Sequence, residues 1–285
     1  RRSSRGKRSN RHIGMKFSGK LSKLKKIILD SDSAVIAFSA GVDSTLLLYL
    51  ASKVLPKDKI LAVTANSATY PKQELISARN IARAFKVKHQ IINTQELKDK
   101  RFISNPVNRC YFCKKELFSK LKYIAKKNNL RNIFDASNIS DKKDFRPGAK
   151  AKKELRIRSP LQEAGINKEE VRRLSKALKL DTWDKPSLAC LASRIPYGTR
   201  ISEESLRRIE EGEEFLRAIG FNQVRLRDYN GLCRIEVPKE DISRLIVKSE
   251  YLIDKLKKLG YNYLTVDLEG FRSGSMNPAF PRKVS

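Results

Sequence analysis

The sequence has few cysteines and no long hydrophobic run. Four cysteines in 285 residues are too few for a disulfide scaffold, and we expect a reducing, cytoplasmic environment. No apolar stretch approaches the roughly 20 residues that a membrane-spanning helix needs. The first residues are basic and lack the apolar segment of a secretory signal. These absences argue against a secreted protein and against a membrane protein.

Acidic residues are also scarce relative to basic ones. Lys and Arg number 61 against 31 Asp and Glu, which gives a formal net charge of +30. We expect residues 1–14 to be a basic arm or leader without a role in the fold, and most of the excess charge lies outside them. Such a charge predicts anionic partners: nucleic acid, nucleotides or phosphorylated small molecules. The hydrophobic fraction of 40% is sufficient for a folded core.

Short apolar strands alternate with helical segments in the first half of the chain. After an amphipathic helix over residues 16–29, strands are predicted over 34–38, 60–64, 89–93 and 133–137, and helices over 45–55, 71–85 and 111–127. This alternation predicts an α/β fold with a parallel sheet covered on both faces. Ligands of such sheets bind at the carboxyl ends of the strands.

The pattern changes in the second half of the chain. Residues 138–158 are polar and basic and contain Pro147 and Gly148, which predicts a long loop or lid. Asn167 then opens a helix as a plausible N-cap. A helix over 202–219, a hairpin turning at Asn230 and Gly231, a helix over 241–259 and a strand over 263–268 predict a small α+β domain. We therefore predict an α/β domain over residues 15–198 and an α+β domain over 199–285.

The stretch SAGVDST at residues 39–45 joins a buried strand directly to a helix. A phosphate bound there would meet the backbone N–H groups around Val42, the positive end of the helix dipole, and the hydroxyls of Ser39 and Ser44. Gly41 would let the phosphate approach the backbone, and Asp43 would hold Mg²⁺ against it. The alternative is a capped strand-to-helix turn with no ligand. The stretch lacks the Gly-Lys-Ser/Thr ending of a Walker A loop.

The pattern SxGxDS after the first strand resembles the PP-loop of the adenine nucleotide alpha-hydrolase superfamily, with Ala40 at a position where these proteins usually have glycine. The resemblance implies a Rossmann-like parallel-sheet domain. It also implies an enzyme that cleaves ATP between the α and β phosphates, adenylates an oxygen of its substrate and releases pyrophosphate.

Further segments resemble the LarE group of this superfamily, over roughly residues 15–277. They are ANS at 65–67, FRPG at 145–148, SLACLASRIPYG at 187–198, VRLR at 224–227 and GFRSGSMN at 270–277. This resemblance implies ATP-dependent conversion of a carboxylate of a pyridinium-3,5-dicarboxylate mononucleotide into a thiocarboxylate, for the nickel-pincer cofactor of lactate racemase. It adds Ser67 to the predicted ATP-binding residues.

The cysteines bear on the source of the sulfur. Cys110 and Cys113 form a C-x-x-C, a spacing common to redox, zinc and iron–sulfur sites. With Cys190 they resemble the three-cysteine branch of the group, which implies a [4Fe–4S] cluster with one open iron that takes sulfide from an external source. In another branch, a cysteine at the position of Cys190 gives up its own sulfur.

Other interpretations of these cysteines remain open. Zinc is one, although His12 and His89 are the only histidines and supply a fourth ligand poorly. Redox thiols or plain buried thiols are another. We interpret Cys233, in a predicted strand, as a structural core residue.

A mononucleotide with carboxylates needs guanidinium partners. Four arginines are predicted to bind the substrate phosphate or carboxylates: Arg194, Arg225, Arg227 and Arg272. Glu213 matches an acidic position of the group and joins Cys190 and Asp43 as a predicted catalytic residue, although a surface glutamate on a helix is the simpler interpretation.

Two other functions compete with this one. The charge favours a tRNA-thiolating PP-loop enzyme, although the chain lacks paired C-x-x-C zinc modules at its ends. A basic, non-enzymatic nucleotide- or RNA-binding protein with a degenerate loop is the other. The resemblance further implies a homo-oligomer.

Overall fold

The structure is a computed structural model that describes residues 19–143, 147–186, 189–272 and 274–276; of residues 142 and 143 it describes the backbone alone. The predicted arm over residues 1–14 lies outside this range, as do Phe145, Arg146, Ser187, Leu188, Ser273 and Asn277 of the motifs above. The contacts divide the described chain into two compact units. The first holds residues 19–66, 72–94 and 110–186, and the second holds 67–71, 95–109 and the chain from 189 onwards. The domain limits predicted from the sequence stay a prediction.

The elements follow the predicted alternation closely. The strands are β1 (Ala34–Ala37), β2 (Ile60–Asn66), β3 (Lys88–Asn93), β4 (Asn132–Phe134), β5 (Arg225–Tyr229), β6 (Leu232–Glu236) and β7 (Tyr263–Val266). The helices are α1 (described over residues 19–29), α2 (Val42–Val54), α3 (Lys72–Ala84), α4 (Lys100–Ile103), α5 (Arg109–Lys127), α6 (Gly148–Glu154), α7 (Pro160–Glu163), α8 (Lys168–Ala177), α9 (Glu203–Ala218), α10 (Ile242–Val247) and α11 (Ser249–Lys258). Within the described residues, no helix is long and apolar enough to cross a membrane.

The first unit contains a four-stranded sheet in the order β3-β2-β1-β4, and every neighbouring pair is parallel. The side chains of β1 alternate between two apolar cores. Ala34 and Ile36 belong to the core that includes residues of α1, α2 and α8, whereas Val35 packs with residues of α5. Both faces of the sheet are therefore covered, which confirms the predicted α/β fold. The chain order reverses at β1, so the loop after β1 lies where such sheets bind ligands.

His89 lies beside this loop, on β3. Thr64 Oγ1 donates a hydrogen bond to the carbonyl of Phe38, at 2.8 Å, and lies 2.8 Å from His89 Nε2. Burial, together with the charge of Arg79, lowers the pKa of His89 below its ordinary value. The fold therefore favours the neutral imidazole.

A pH dependence of stability follows from this histidine. Because the pKa of His89 is lower in the folded state, the unfolded chain binds the proton first as the pH falls. The contribution of His89 to the free energy of unfolding is therefore complete above its ordinary pKa of about 6.5 and is lost below it. We expect the free energy of unfolding, measured in urea, to fall between pH 7 and pH 5 by more in the wild type than in His89→Gln. Identical pH profiles for the two proteins would contradict this.

Residues 138–158 contain more regular structure than the predicted loop or lid. A 3₁₀ helix spans Ile139–Lys143, α6 follows at Gly148–Glu154, and Phe134 of β4 pairs with Arg158. Ala151 is fully buried against the core beneath α5. The prediction of a long loop was wrong. Helix α6 is short and lysine-rich and buries a single alanine, so its sequence shows no apolar periodicity.

The second unit contains the sheet β5-β6-β7, in which β5 and β6 are antiparallel and β6 and β7 are parallel. Asn230 and Gly231 have φ angles of 54° and 99°, as expected for the predicted hairpin turn. A Cβ on Gly212 of α9 would lie 2.5 Å from a methyl group of Leu226, so this glycine lets α9 pack closely on β5. The single helix predicted over 241–259 is divided at Lys248 into α10 and α11.

Candidate functional site

The loop after β1 presents free backbone donors to its surroundings. Helix α2 begins at Val42, and its N-cap is Gly41, which has no side chain that could cap the first N–H groups of the helix. The first N–H groups of a helix have no acceptor within it, and they lie at the positive end of its dipole. The 13-residue α2 therefore offers an anion-binding N-terminus at the carboxyl end of β1, as the SAGVDST pattern predicts.

The side chain of Ser44 makes hydrogen bonds to other residues of this loop. Its Oγ atom lies 3.3 Å from the backbone nitrogen of Ser39 and 3.1 Å from Ser39 Oγ, and it donates to the carbonyl of Gly41. Val42 is buried, so only its backbone is available to a ligand. The five residues predicted to hold ATP phosphates, residues 39 and 41–44, therefore lie together in one turn of chain, whereas Ser67 lies in the second unit.

Ala40 adopts a φ of +50°, in the left-handed region that favours glycine. Its side chain is fully buried. Alanine therefore occupies a backbone conformation that glycine adopts at less cost.

Substitutions of Ala40 test this strain. In Ala40→Gly, relief of about 1 kcal/mol of strain opposes the greater freedom of glycine in the unfolded chain, so the free energy of unfolding is expected to stay the same or to rise by up to about 1 kcal/mol. Ala40→Val is expected to lower it by roughly 2 kcal/mol or more, because β-branched residues rarely adopt positive φ. Equal stability of the two variants in urea denaturation would show that the backbone of residue 40 is not strained.

Asp43 lies in the first turn of α2 and is held by two side chains that the sequence analysis did not identify. Asn138 Nδ2 donates to Asp43 Oδ1 at 3.0 Å, and Lys168 Nζ forms an ion pair with Asp43 Oδ2. A second lysine, Lys185, donates to the carbonyl of Ala40 at 3.2 Å and pairs with the buried Glu74. The available signal was Lys168 itself, a cation at the start of a predicted helix where the dipole disfavours it.

Ser67 belongs to a separate polar cluster in the second unit. Its hydroxyl contacts Thr69 Oγ1 at 2.8 Å and donates to Glu96 Oε1. Glu96 is almost completely buried, and its other oxygen, Oε2, makes no hydrogen bond. In this structure the Ser67 hydroxyl is thus engaged with a buried carboxylate.

Cys110 and Cys113 lie in the first turn and a half of α5. Their spacing places them on the same face of the helix. Cys110 is exposed and Cys113 is partly exposed, and neither forms a disulfide. Close by, a Cβ on Gly148 would lie 3.0 Å from Lys114 Cγ and 3.5 Å from the carbonyl of Cys110, so α6 packs closely against this turn. Both thiols are therefore at least partly accessible.

Cys190 is exposed and immediately precedes a 3₁₀ helix, Leu191–Arg194, in the second unit. The backbone of this segment is anchored on both sides. The N–H of Leu191 donates to the carbonyl of Thr69 at 2.9 Å, and the N–H of Ser193 donates to the carbonyl of Cys190 at 2.9 Å. An accessible thiol is thus carried on a fixed backbone.

The Arg194 guanidinium lies beneath the Cys190 segment rather than in solvent. It is 1% exposed and forms a two-pronged ion pair with Glu213, which is equally buried, at 2.8 and 2.9 Å. Its remaining nitrogen, Nη1, donates to the carbonyls of Ala189 and Cys190 at 2.6 and 3.1 Å. Glu213 is therefore not a surface residue of α9, and the pair holds the backbone of Cys190.

The electrostatics of this pair favour its charged form. Burial tends to raise the pKa of Glu213, but Arg194, Arg225 and Arg217 outweigh it and lower that pKa below its ordinary value. The Glu213 carboxylate also accepts from the backbone of Leu226 at 3.2 Å. The carboxylate is therefore ionised and fully engaged.

Arg225 and Arg227 lie on β5 and are both largely buried. Arg227 pairs with the buried Glu236 at 2.7 Å and donates to the carbonyl of Ser193 at 3.0 Å. For Arg225, burial and then the charges of neighbouring arginines, Arg194 first, lower the pKa to about 10. Burial is the larger cause, and the charges of Arg194, Arg227 and Arg217 add to it while Glu213 opposes it, so an added anion would stabilise the charged guanidinium.

Arg272 has different carboxylate partners from Arg227. Its Nη2 atom pairs with Asp267 at 3.5 Å and with Glu269. Its Nε atom is buried without a hydrogen-bond partner. The substrate-binding roles predicted for Arg194, Arg225, Arg227 and Arg272 stay predictions, as does a catalytic role for Glu213.

Metal sites can be assessed only within the described chain. There, no group of three or more His, Cys, Asp or Glu residues is arranged to hold a metal ion. The thiols of Cys110 and Cys113, in the first unit, and of Cys190, in the second, have the donor chemistry of an iron–sulfur site. Cys233 is fully buried in β6 and burial raises its pKa, as expected of a core thiol.

Comparisons with known proteins agree with this arrangement. The family model of the queuosine biosynthesis protein QueC matches residues 33–106, which include the loop after β1. An uncharacterized protein of Synechocystis is 41% identical over 92% of this chain and 98% of its own length. The pyridinium-3,5-bisthiocarboxylic acid mononucleotide synthase of Lactiplantibacillus plantarum is 36% identical over 90% of this chain and 94% of its own length. An uncharacterized protein of Methanocaldococcus jannaschii is 34% identical over 91% of this chain.

The fold and the loop after β1 define an ATP-using enzyme of the PP-loop class. The chain belongs to the LarE family of ATP-dependent sulfur transferases, because its similarity to the synthase extends over nearly the full length of both proteins.

Proposed function

We propose that this enzyme inserts sulfur into a pyridinium-3,5-dicarboxylate mononucleotide. The observation that carries the proposal is the similarity to the Lactiplantibacillus synthase, which extends through both compact units. In the first step, a carboxylate oxygen of the substrate attacks the α-phosphorus of ATP, and pyrophosphate leaves. In the second, a sulfur nucleophile attacks the acyl carbon, and AMP leaves with the carboxylate oxygen. The product is a thiocarboxylate for nickel-pincer cofactor synthesis.

The first step belongs to the loop after β1. The free N–H groups of α2 bind phosphate oxygens, and the hydroxyls of Ser39 and Ser44 line the turn. We assign Asp43 as the carboxylate that would hold Mg²⁺, and the metal would offset the charge that develops on the leaving pyrophosphate. Its partners, Asn138 and Lys168, are side chains that can release it.

The second unit binds the substrate phosphate or carboxylates. We favour Arg225 as a substrate contact because Arg194, Arg227 and Arg217 surround it with positive charge, which Glu213 offsets in part. Arg227 and Arg272 support it as further cations. Arg194 and Glu213 act differently: their donors and acceptors are engaged with each other and with the Cys190 backbone, so we assign both as positioning residues.

A substitution of Arg225 tests the substrate contact. Loss of a charge-assisted hydrogen bond is worth about 1.5–3 kcal/mol, so Arg225→Gln is expected to raise the KM for the mononucleotide about 10- to 100-fold. The KM for ATP should stay unchanged. Arg207→Gln, on the exposed face of α9, is the control with the same loss of charge. A normal mononucleotide KM in Arg225→Gln would contradict the assignment.

For the sulfur, we propose that Cys110, Cys113 and Cys190 hold a [4Fe–4S] cluster. When bound, the cluster would supply an open iron that carries sulfide from an external source. The proposal is supported by the exposure of Cys110 and Cys190 and the partial exposure of Cys113. The alternative is that Cys190 gives its own sulfur. Its Sγ atom attacks the acyl adenylate, AMP leaves, and a thioester forms; removal of the Cα proton then breaks the Cβ–S bond, which releases the thiocarboxylate and leaves dehydroalanine.

Analysis of metal and sulfide content under strict anaerobiosis tests the cluster. After reconstitution we expect iron, acid-labile sulfide and a brown colour, and loss of all three in Cys113→Ala but not in Cys233→Ala. A protein that binds zinc and stays colourless would overturn the cluster. The competing tRNA function is tested with the same preparation, since it requires tRNA binding with a steep salt dependence and thiolated tRNA as the product.

A further inference from the structure

The carboxylate of Asp43 is already occupied by a cation of the protein. Lys168 Nζ forms an ion pair with Asp43 Oδ2, and Asn138 Nδ2 donates to Oδ1 at 3.0 Å. The side chains of Lys168 and Asp43 are 29% and 21% exposed, so the pair is open to exchange rather than sealed in the core. A metal ion that binds Asp43 must compete with this ammonium group for the same oxygen.

The position of Lys168 is unfavourable unless an anion lies nearby. It is the first residue of α8, after the N-cap Asn167, and the positive end of the helix dipole repels a cation there. The helix is otherwise built with acids in its first turn, Glu169 and Glu170. The ammonium group of Lys168 is therefore held at the loop by negative charge, which Asp43 supplies in the free protein.

ATP changes this balance. Its β and γ phosphates would bring several negative charges to the N-terminus of α2, next to Asp43. A lysine side chain is a flexible point charge that can shift between neighbouring anions, whereas a helix N-terminus is fixed. Released by Mg²⁺ from Asp43, Lys168 would find phosphate oxygens as replacement partners.

We propose that Lys168 is an exchangeable counter-ion of Asp43. In the free enzyme it neutralises Asp43; when Mg²⁺ and ATP bind, Mg²⁺ takes the carboxylate and the ammonium group moves to the oxygens of the pyrophosphate moiety. The inference rests on the proposed role of Asp43 as a magnesium ligand. It makes Lys168 a phosphate ligand with no direct contact to the adenosine.

Binding measurements with the α,β-methylene analogue of ATP, which is not cleaved at the α–β position, test this proposal. We expect Lys168→Met to weaken binding of the analogue in Mg²⁺ about 10- to 100-fold, the worth of one or more charge-assisted contacts, and to leave AMP binding unchanged. Lys168→Arg should retain most of the affinity. Arg173→Met is the control, since Arg173 lies on α8 and pairs there with Glu169 at the surface.

A second readout uses Mg²⁺ alone. In Lys168→Met, Asp43 no longer pairs with the lysine ammonium group, so it should bind Mg²⁺ at a lower concentration than in the wild type. The measurement is the magnesium concentration that gives half of the maximal rise in melting temperature. Equal behaviour of Lys168→Met and Arg173→Met in both measurements would overturn the exchange. So would a parallel loss of AMP and analogue binding in Lys168→Met.

Asp43→Asn separates the exchange from the proposed role of Asp43. If the analogue binds Asp43→Asn with an unchanged magnesium dependence, Asp43 is not the magnesium ligand and the proposed role itself fails. If Asp43→Asn loses the magnesium dependence while Lys168→Met behaves like its control, only the exchange fails.

Discussion

Cys190→Ala is expected to reduce thiocarboxylate formation to background while AMP and pyrophosphate still form. Both sulfur routes need this thiol, either as a cluster ligand or as the donor, whereas adenylation takes place at the loop after β1. The exposed side chain on a fixed backbone makes the substitution a local one. The two products are measured separately, thiocarboxylate by mass spectrometry and AMP by chromatography.

Two further variants make this result specific. Cys233→Ala removes a buried thiol whose pKa is raised by burial, which disfavours the reactive thiolate, so the thiocarboxylate yield of this variant should match the wild type. Cys113→Ala distinguishes the routes: it should lose the product if a cluster is required, and keep it if Cys190 gives its own sulfur. Wild-type yield from Cys190→Ala would contradict both routes.

Breaking the buried Arg194–Glu213 ion pair is expected to have the largest effect on stability. Glu213→Ala would leave the Arg194 guanidinium, which is 1% exposed, without its carboxylate. Loss of one partner of a buried pair costs about 3–5 kcal/mol, which is a large part of the total stability of an ordinary protein. We expect a loss of that size in urea denaturation, together with a disordered Cys190 segment that proteases cleave more readily.

The matched control is an exposed pair. Lys258 and Asp254 form an i,i+4 ion pair on α11 with both side chains more than half exposed, and Asp254→Ala should cost about 0.5 kcal/mol or less. The double variant Arg194→Met/Glu213→Ala should recover part of the loss, because no uncompensated charge remains. A cost below about 1 kcal/mol for Glu213→Ala would show that the pair does not hold this part of the structure.

Local sequence patterns were enough to predict the parallel sheet, the loop after β1 and the hairpin at Asn230 and Gly231. Each of these depends on residues that are close in the chain, such as the small residues that follow an apolar strand. They also depend on the order of the signals, since short apolar runs alternate with longer helical segments and turn residues separate them.

The pairing of charged residues could not be predicted in this way. Asp43 and Lys168 are 125 positions apart, and Arg194 and Glu213 come from a 3₁₀ helix and from α9, whose contact only the fold creates. For the same reason, the sequence favoured a surface position for Glu213, whereas the structure buries it beneath Cys190. Helix α6 was missed because its buried side, Ala151, is too small to mark an apolar face.

Incubation with ATP, Mg²⁺ and pyridinium-3,5-dicarboxylate mononucleotide under anaerobic conditions, after reconstitution with iron and sulfide, tests the central claim most directly. Mass spectrometry should detect the mononucleotide with one carboxylate oxygen replaced by sulfur, together with an equal amount of AMP. AMP formation that does not depend on the mononucleotide, or a mononucleotide recovered unchanged while AMP accumulates, would contradict the claim.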